Sequence, residues 1–250
     1  MARSGAKSSG AVRLLKVEGI AVPVELRRHP TARRLTLRVS RTRHAVVLTL
    51  PRGSNLRDAD QFLTHSLDWL RARLACVPEP APFRHGAVVP LRGEPHDLAF
   101  IGYGRGRAVV RPEPAIPGRR ARLAVSGSPE YAPRRLKDWL IREAGRDLEA
   151  SVAVHTRNLG ARARRITLRD QKSRWGSCSS AGQLSFSWRL ILAPPFVLDY
   201  VAAHEVAHLR EMNHGPRFWN LVAELMPRFE EARAWLRIHG MDLYRYGVER

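Results

Sequence analysis

The sequence predicts an α+β protein: a β-rich first half leads into a helical second half that carries one small sheet. Three observations predict it. Short runs rich in β-branched and aliphatic residues fill residues 21–50 and return at 87–101. An i,i+4 row of apolar residues then runs through 136–152, and from Pro194 onward the apolar spacing is helical almost to the end. With 250 residues, 44% of them hydrophobic, the chain can bury a core in one large domain or two small ones, which excludes wholesale disorder. No stretch approaches the roughly 18 consecutive apolar residues of a membrane-spanning helix. The opening MARSGAKSSG leads into no apolar signal region, and two cysteines, Cys76 and Cys178, make no disulfide framework. The expected compartment is the reducing cytoplasm.

Residues 1–12 are expected as a flexible polar tail. Strands are predicted at Ala21–Leu26, Leu35–Val39 and Ala45–Leu50, the second by strict apolar–polar alternation. Ser54 or Asn55 caps one helix through about Cys76, with Phe62, Leu63, Leu67, Leu70 and Leu74 inward. Proline-rich pieces at Val77–Pro82 and Pro112–Pro117 punctuate the chain around strands at Ala87–Leu91 and Leu98–Ile101. A long helix follows, from Ser128 or Tyr131 to Asn158, with Leu136, Leu140, Ala144, Leu148 and Val152 in line and Gly160 as its stop. Arg165–Leu168 reads as a strand, and Trp175–Cys178 with Gln183–Trp188 as a hairpin. Helices are predicted over 195–212, 216–226 and 228–239, the first opened by Pro194 and Pro195. No internal repeat is visible. The organisation is thus a tail, a β-rich region at 13–126 with one helix, and a helical region at 127–250.

Chemistry concentrates on the first of those last helices. From Phe196 to Leu209 nearly every position is apolar, yet His204, Glu205 and His208 interrupt the run. At about 100° per residue His208 lies one turn beyond His204 and only about 40° around the axis, with Glu205 beside them. Two imidazoles so placed converge on one zinc ion at about 2.0–2.1 Å each, and the glutamate can accept a proton from a water that the ion acidifies. Burying such groups without a partner costs several kcal/mol (roughly), so an apolar helix does not carry them idly. The pattern is the H-E-x-x-H signature. A third ligand is needed. His214 follows Asn213 and precedes Gly215-Pro216, residues that end a helix and turn the chain back. The competitors are carboxylates of the following helices, Glu224 first, then Glu230 or Glu231. Glu211 lies about 10 Å along the axis from His204, too far to share its ion.

K-S-R-W-G-S-C-S at Lys172–Ser179, W-R-L-I-L-A-P-P at Trp188–Pro195, H-E-V-A-H-L and M-N-H-G-P-R-F-W together resemble the YgjP-like metallopeptidase family, itself distantly similar to SprT-like and WLM zinc proteases. The resemblance runs from about residue 20 to 240 and is densest over 165–220. It implies a zincin-like metallopeptidase region at 127–250, zinc as cofactor held by His204, His208 and His214, and Glu205 as catalytic base. His214 also sits at the third-histidine spacing of H-E-x-x-H-x-x-G-x-x-H, but Glu211 stands where that pattern has glycine.

In zinc proteases of this build an edge strand beside the helix pairs with extended substrate, so Trp175, Gly176 and Ser177 are candidate substrate-binding residues, Gly176 by admitting another backbone closely. Phe186 and Trp188 are expected in the core, as are Phe218, Trp219, Leu221, Val222, Leu225 and Met226. Cys178 is expected as an inert thiol, and Arg174 and Lys172 as surface cations. The histidines at 29, 44, 65, 85, 96, 155 and 239 lack metal spacing.

Charge adds a partner question. There are 43 Lys+Arg against 23 Asp+Glu, a net +20, with the excess in residues 1–50 and 101–200. Arg27, Arg28, Arg33, Arg34, Arg38, Arg41 and Arg43 form a basic stretch, a solvated face by default and a non-specific nucleic-acid face by alternative. The function expected is a zinc-dependent hydrolase, a peptidase acting on peptide or protein with Glu205 as general base. The alternatives are a metal-dependent nucleotide pyrophosphatase, against which stands the lack of a Gly-rich phosphate loop, and a DNA-associated protease localised by its basic surface.

Overall fold

The computed structural model describes residues 13–15, 17, 20, 24–40, 45–75, 78–102, 109–171 and 173–248. The predicted tail at 1–12, Arg41, Arg43, His44, Cys76 and Lys172 lie outside them. The protein is α+β, and it divides into two compact units, Met1–Glu79 and Pro80–Arg250.

In the first unit β1 (Arg13–Leu15), β2 (Val24–Arg28), β3 (Thr36–Ser40) and β4 (Ala45–Leu50) form a sheet in the order β1-β2-β4-β3. Only β2 and β4 run parallel. Val24 and Leu26 on β2 and Val46, Leu48 and Leu50 on β4 point inward at period two and meet Ala59, Leu63 and Leu70. The single helix predicted over 55–76 is two, α1 (Leu56–His65) and α2 (Leu67–Ala75). Asn55 begins α1 in a reciprocal capping box with Asp58. The break falls at Ser66, whose N–H turns to the Leu63 carbonyl, while Thr64 and His65 side chains hydrogen-bond the carbonyls of Asp60 and Gln61. Apolar spacing alone does not register such local competition.

The second unit opens with β5 (Val88–Leu91), β6 (Glu94–Phe100), β7 (Val110–Glu113) and β8 (Arg122–Val125), ordered β5-β6-β8-β7 with only β6 and β8 parallel. This repeats the topology of the first sheet. The sequence shows no repeat because each strand needs only a few alternating apolar residues, which different side chains supply. β7 and β8 were not anticipated. Pro112 sits within β7, tolerated because β7 is an edge strand whose missing amide disrupts no ladder on its outer side. Val89, Leu91, Leu98, Leu123 and Val125 join the core that also holds α3 (Ala132–Leu159). Residues 80–126 fall in the same compact unit as the helical region.

The predicted row along α3 is buried throughout. Gly160, at φ 62°, closes the helix in the left-handed region, and Ala161 N–H bonds back to the Thr156 carbonyl. β9 (Arg165–Arg169), β10 (Gly176–Cys178) and β11 (Gln183–Ser187) make a three-stranded sheet ordered β10-β11-β9, the predicted hairpin with β9 parallel to β11. After a 3₁₀ turn at Trp188–Leu192 come α4 (Pro195–Ala207), α5 (Pro216–Leu225) and α6 (Phe229–His239). Asp199 of α4 is held by side chains of α3. It accepts from Ser151 Oγ and from His155 Nε2 at 2.8 Å, tying α4 to α3.

A second polar tie is Arg189. Its buried guanidinium donates to Asp170 at 3.0 Å and to the carbonyls of Leu243 and Tyr246 at 2.9 and 2.8 Å, over the Trp188 ring. Burial raises the Asp170 carboxyl, but the charges and hydrogen bonds of Arg189 and Lys137 outweigh it and hold the group below the usual range. Asp199 is depressed likewise, burial being outweighed by His155 and Ser151. Both carboxylates therefore add stability above about pH 4, the unfolded value, which is lost as pH falls through their folded values. Asp170→Asn is expected to cost about 1–3 kcal/mol at pH 7, the lower end reflecting its partial exposure. Urea midpoints should differ at pH 7 and converge below about pH 4; equal midpoints at pH 7 would overturn this.

Candidate metal centre

α4 is buried on nearly all sides: Val197, Leu198, Val201, Ala202, Ala203, Val206 and Ala207 all lie in the interior. The helix ends at Ala207 with His208 as its cap, five residues before the predicted end. There the amides of Leu209 and Arg210 shift to the carbonyls of Val206 and Ala207, a tightening that propensity does not forecast. The chain turns through Asn213 and Gly215, and Pro216 starts α5. The turn brings His214 back over the last turn of α4.

His214 Nε2 lies 3.1 Å from His204 Nε2, and one ligand atom from each of His204, His208 and His214 falls within 4.8 Å of the others. Imidazole nitrogens each about 2.0–2.1 Å from a tetrahedral zinc are about 3.3 Å apart; the His204–His214 separation is close to this, and a set of three imidazoles suits such an ion. His208 Nδ1 is 3.0 Å from the Glu211 carbonyl, which turns its other nitrogen toward the cluster. His204 Nδ1 is buried without a hydrogen-bond partner. Phe218 walls all three rings, with centroids 4.5–4.8 Å away. Burial depresses His204 to about 3, aided by its two histidine neighbours, and lowers His208 as well. Both stay neutral at pH 7, the form that binds metal. Of the rival carboxylates, Glu224 is exposed, Glu230 pairs with Arg233 and Glu231 with Arg228; among the described residues none joins the three-histidine grouping.

Glu205 is 5% exposed, and burial lifts its carboxyl to about 7, with Arg174 pulling it partway back. Its neighbour explains Gly176. A Cβ built on Gly176 would meet Glu205 Oε1 at 2.5 Å and its Cγ at 2.6 Å. The close neighbour on the Cβ side of Gly176 is thus the Glu205 side chain. Trp175 tilts against Tyr244 at 4.9 Å, and its carbonyl accepts from Ser187 N–H. Trp175, Gly176 and Ser177 all line a cleft of about 460 Å³ together with His204, Glu205, His208 and His214.

The cleft also holds Tyr200, Met212, Arg233 and Leu236, which the sequence did not single out. Tyr200 carries a signal after the fact, since it stands one turn before His204 on the same helix. Arg233 and Leu236 come from α6 and have no local cue; Arg233 lies over the Trp219 ring at 4.8 Å. Phe186 and Trp188 are core, as expected. Cys178 is half-buried, and burial, then Glu205, raises its thiol, consistent with an inert side chain. Arg174 donates to Gln171 at 2.9 Å.

Among solved structures, the crystal structure of the metallopeptidase zymogen of Pyrococcus abyssi abylysin aligns at 21% identity and a TM-score of 0.34, over 37% of this chain and 95% of that chain. No curated protein matches. The family described as YgjP-like, metallopeptidase domain, matches residues 33–239. That span takes in most of the chain, the histidine cluster and the hairpin beside it, and the protein belongs to the YgjP-like metallopeptidase family.

Proposed function

We propose that this protein is a zinc-dependent peptidase of zincin-like build, with Glu205 as its general base and the reducing cytoplasm as its compartment. The observation that carries the proposal is the convergence of His204, His208 and His214 beside a buried carboxylate in one open cleft. The three imidazoles would hold the ion, and when bound it supplies Lewis acidity to the scissile carbonyl and acidifies water toward a pKa of about 7. Glu205 accepts a proton from the attacking water as the carbon–oxygen bond forms. It returns that proton to the amine as the carbon–nitrogen bond breaks. β10 is an edge strand beside α4, so extended substrate backbone adds along Trp175–Ser177. Among the described residues no helix is long and apolar enough to cross a membrane.

Elemental mass spectrometry of the purified full chain tests the site. About one zinc per chain is expected, lost in His208→Ala. His214→Ala should weaken zinc binding; unchanged affinity would assign the third position to Glu224 or another carboxylate. Peptides and nucleoside triphosphates offered side by side to the zinc-loaded protein distinguish the peptidase from a pyrophosphatase.

A further inference from the structure

The face of the β9–β11–β10 sheet turned away from the core is polar and basic. Ile166 and Leu168 on β9 and Leu184 and Phe186 on β11 point to the core. Alternation then puts Arg165, Thr167 and Arg169 on the opposite face, with Gln183 and Ser185 beside the first two and Ser177 across from Ser185. This face forms a groove of about 580 Å³. Arg174, Ser177 and Cys178 line both this groove and the cleft at the histidines, so the two adjoin along β10.

Three guanidinium groups border the groove, and among the described residues no carboxylate lines it. Among the described residues Arg165 and Arg169 have no acidic partner. Asp170, next to Arg169 in the sequence, is engaged by Arg189 and Lys137. Arg174 is oriented through Gln171, whose amide donates in turn to Ser185 Oγ at 2.9 Å. Arg165 and Arg169 stand four residues apart on one strand, about 13 Å, the span of an extended peptide of matching length. Among the described residues no aromatic side chain lines the groove, which therefore offers none of the stacking platform of a single-strand nucleic-acid site.

We infer that this groove is a substrate subsite for acidic side chains: a peptide crossing the metal cleft runs onto it, and Arg165, Arg169 and Arg174 select Asp or Glu on that side of the scissile bond. This rests on the peptidase proposal, which names what crosses the cleft; the binding of acidic side chains is measured separately. Guanidinium groups pair carboxylates in bidentate geometry, and the Ser and Thr hydroxyls between them serve the remaining lone pairs.

The test is fluorescence anisotropy of a fluorescein-labelled hexaglutamate peptide and its hexaglutamine counterpart on the full-length protein, with and without zinc. Hexaglutamate should bind more tightly than hexaglutamine, and the paired change Arg165→Gln with Arg169→Gln should weaken it about tenfold. Arg33→Gln with Arg34→Gln, an exposed pair in the other unit, should weaken it less than threefold. Circular dichroism and zinc content check that each variant is folded. The inference is overturned if the groove pair leaves hexaglutamate binding unchanged, if both pairs weaken it equally, or if a twelve-nucleotide oligothymidine binds the groove and hexaglutamate does not. Cleavage of glutamate-containing against glutamine-containing peptides is followed in parallel. Failure there with intact hexaglutamate binding would count against the peptidase and not against the groove.

Discussion

Glu205→Gln is expected to retain its zinc and to lose peptide hydrolysis by about 10²–10⁴-fold, the range for a positioned general base. The amide keeps the shape of the side chain, so its packing against Gly176 is preserved. The imidazole nitrogens of His204, His208 and His214 are untouched. What is lost is the carboxylate proposed to take a proton from water, the three histidines being the proposed metal ligands. Zinc content and kcat measured on the same preparation make the point: metal present and kcat gone supports the role, and activity persisting in the variant would sink the mechanism.

Gly176→Ala is expected to reach nearly the same result by displacement. The new methyl would stand 2.5–2.8 Å from Glu205 Oε1, Cγ and Cδ, far inside van der Waals contact, and the buried glutamate must move. A shift of about 1 Å in a catalytic group costs on the order of 10²-fold in rate. Zinc should remain near one per chain, since no histidine atom is among the three nearest contacts of that Cβ. The double variant should be no slower than Glu205→Gln alone, because both changes remove one function. A Gly176→Ala protein with undiminished kcat would show that the glutamate relocates without penalty.

Much of this site is legible in the sequence. The apolar surround of His204, Glu205 and His208 marks a buried helix, and polar groups there require a partner. The Asn213–Pro216 segment carries its own turn chemistry, so the return of His214 was anticipated, although its choice over Glu224 was not settled by spacing. Gly176 was singled out for a different reason, since a glycine's close neighbour is invisible along the chain. Arg233 and Leu236 were missed because α6 carries an ordinary amphipathic pattern whichever residues it turns toward the cleft.

The sequence by itself determined the α+β class, the α3 helix with its Gly160 stop, the hairpin, and the two-histidine face of α4. Each depends on periodicity or capping within a few residues, where backbone geometry alone relates the side chains. Tertiary structure decided the grouping of residues 80–126 with the helical region, the shared topology of the two four-stranded sheets, the early end of α4 and the seating of Glu205 on Gly176. It also placed the arginines of β9 on a groove that shares Arg174, Ser177 and Cys178 with the cleft at the histidines. These arrangements join residues distant along the chain, and strand pairing and core packing select them through contacts that no local pattern encodes.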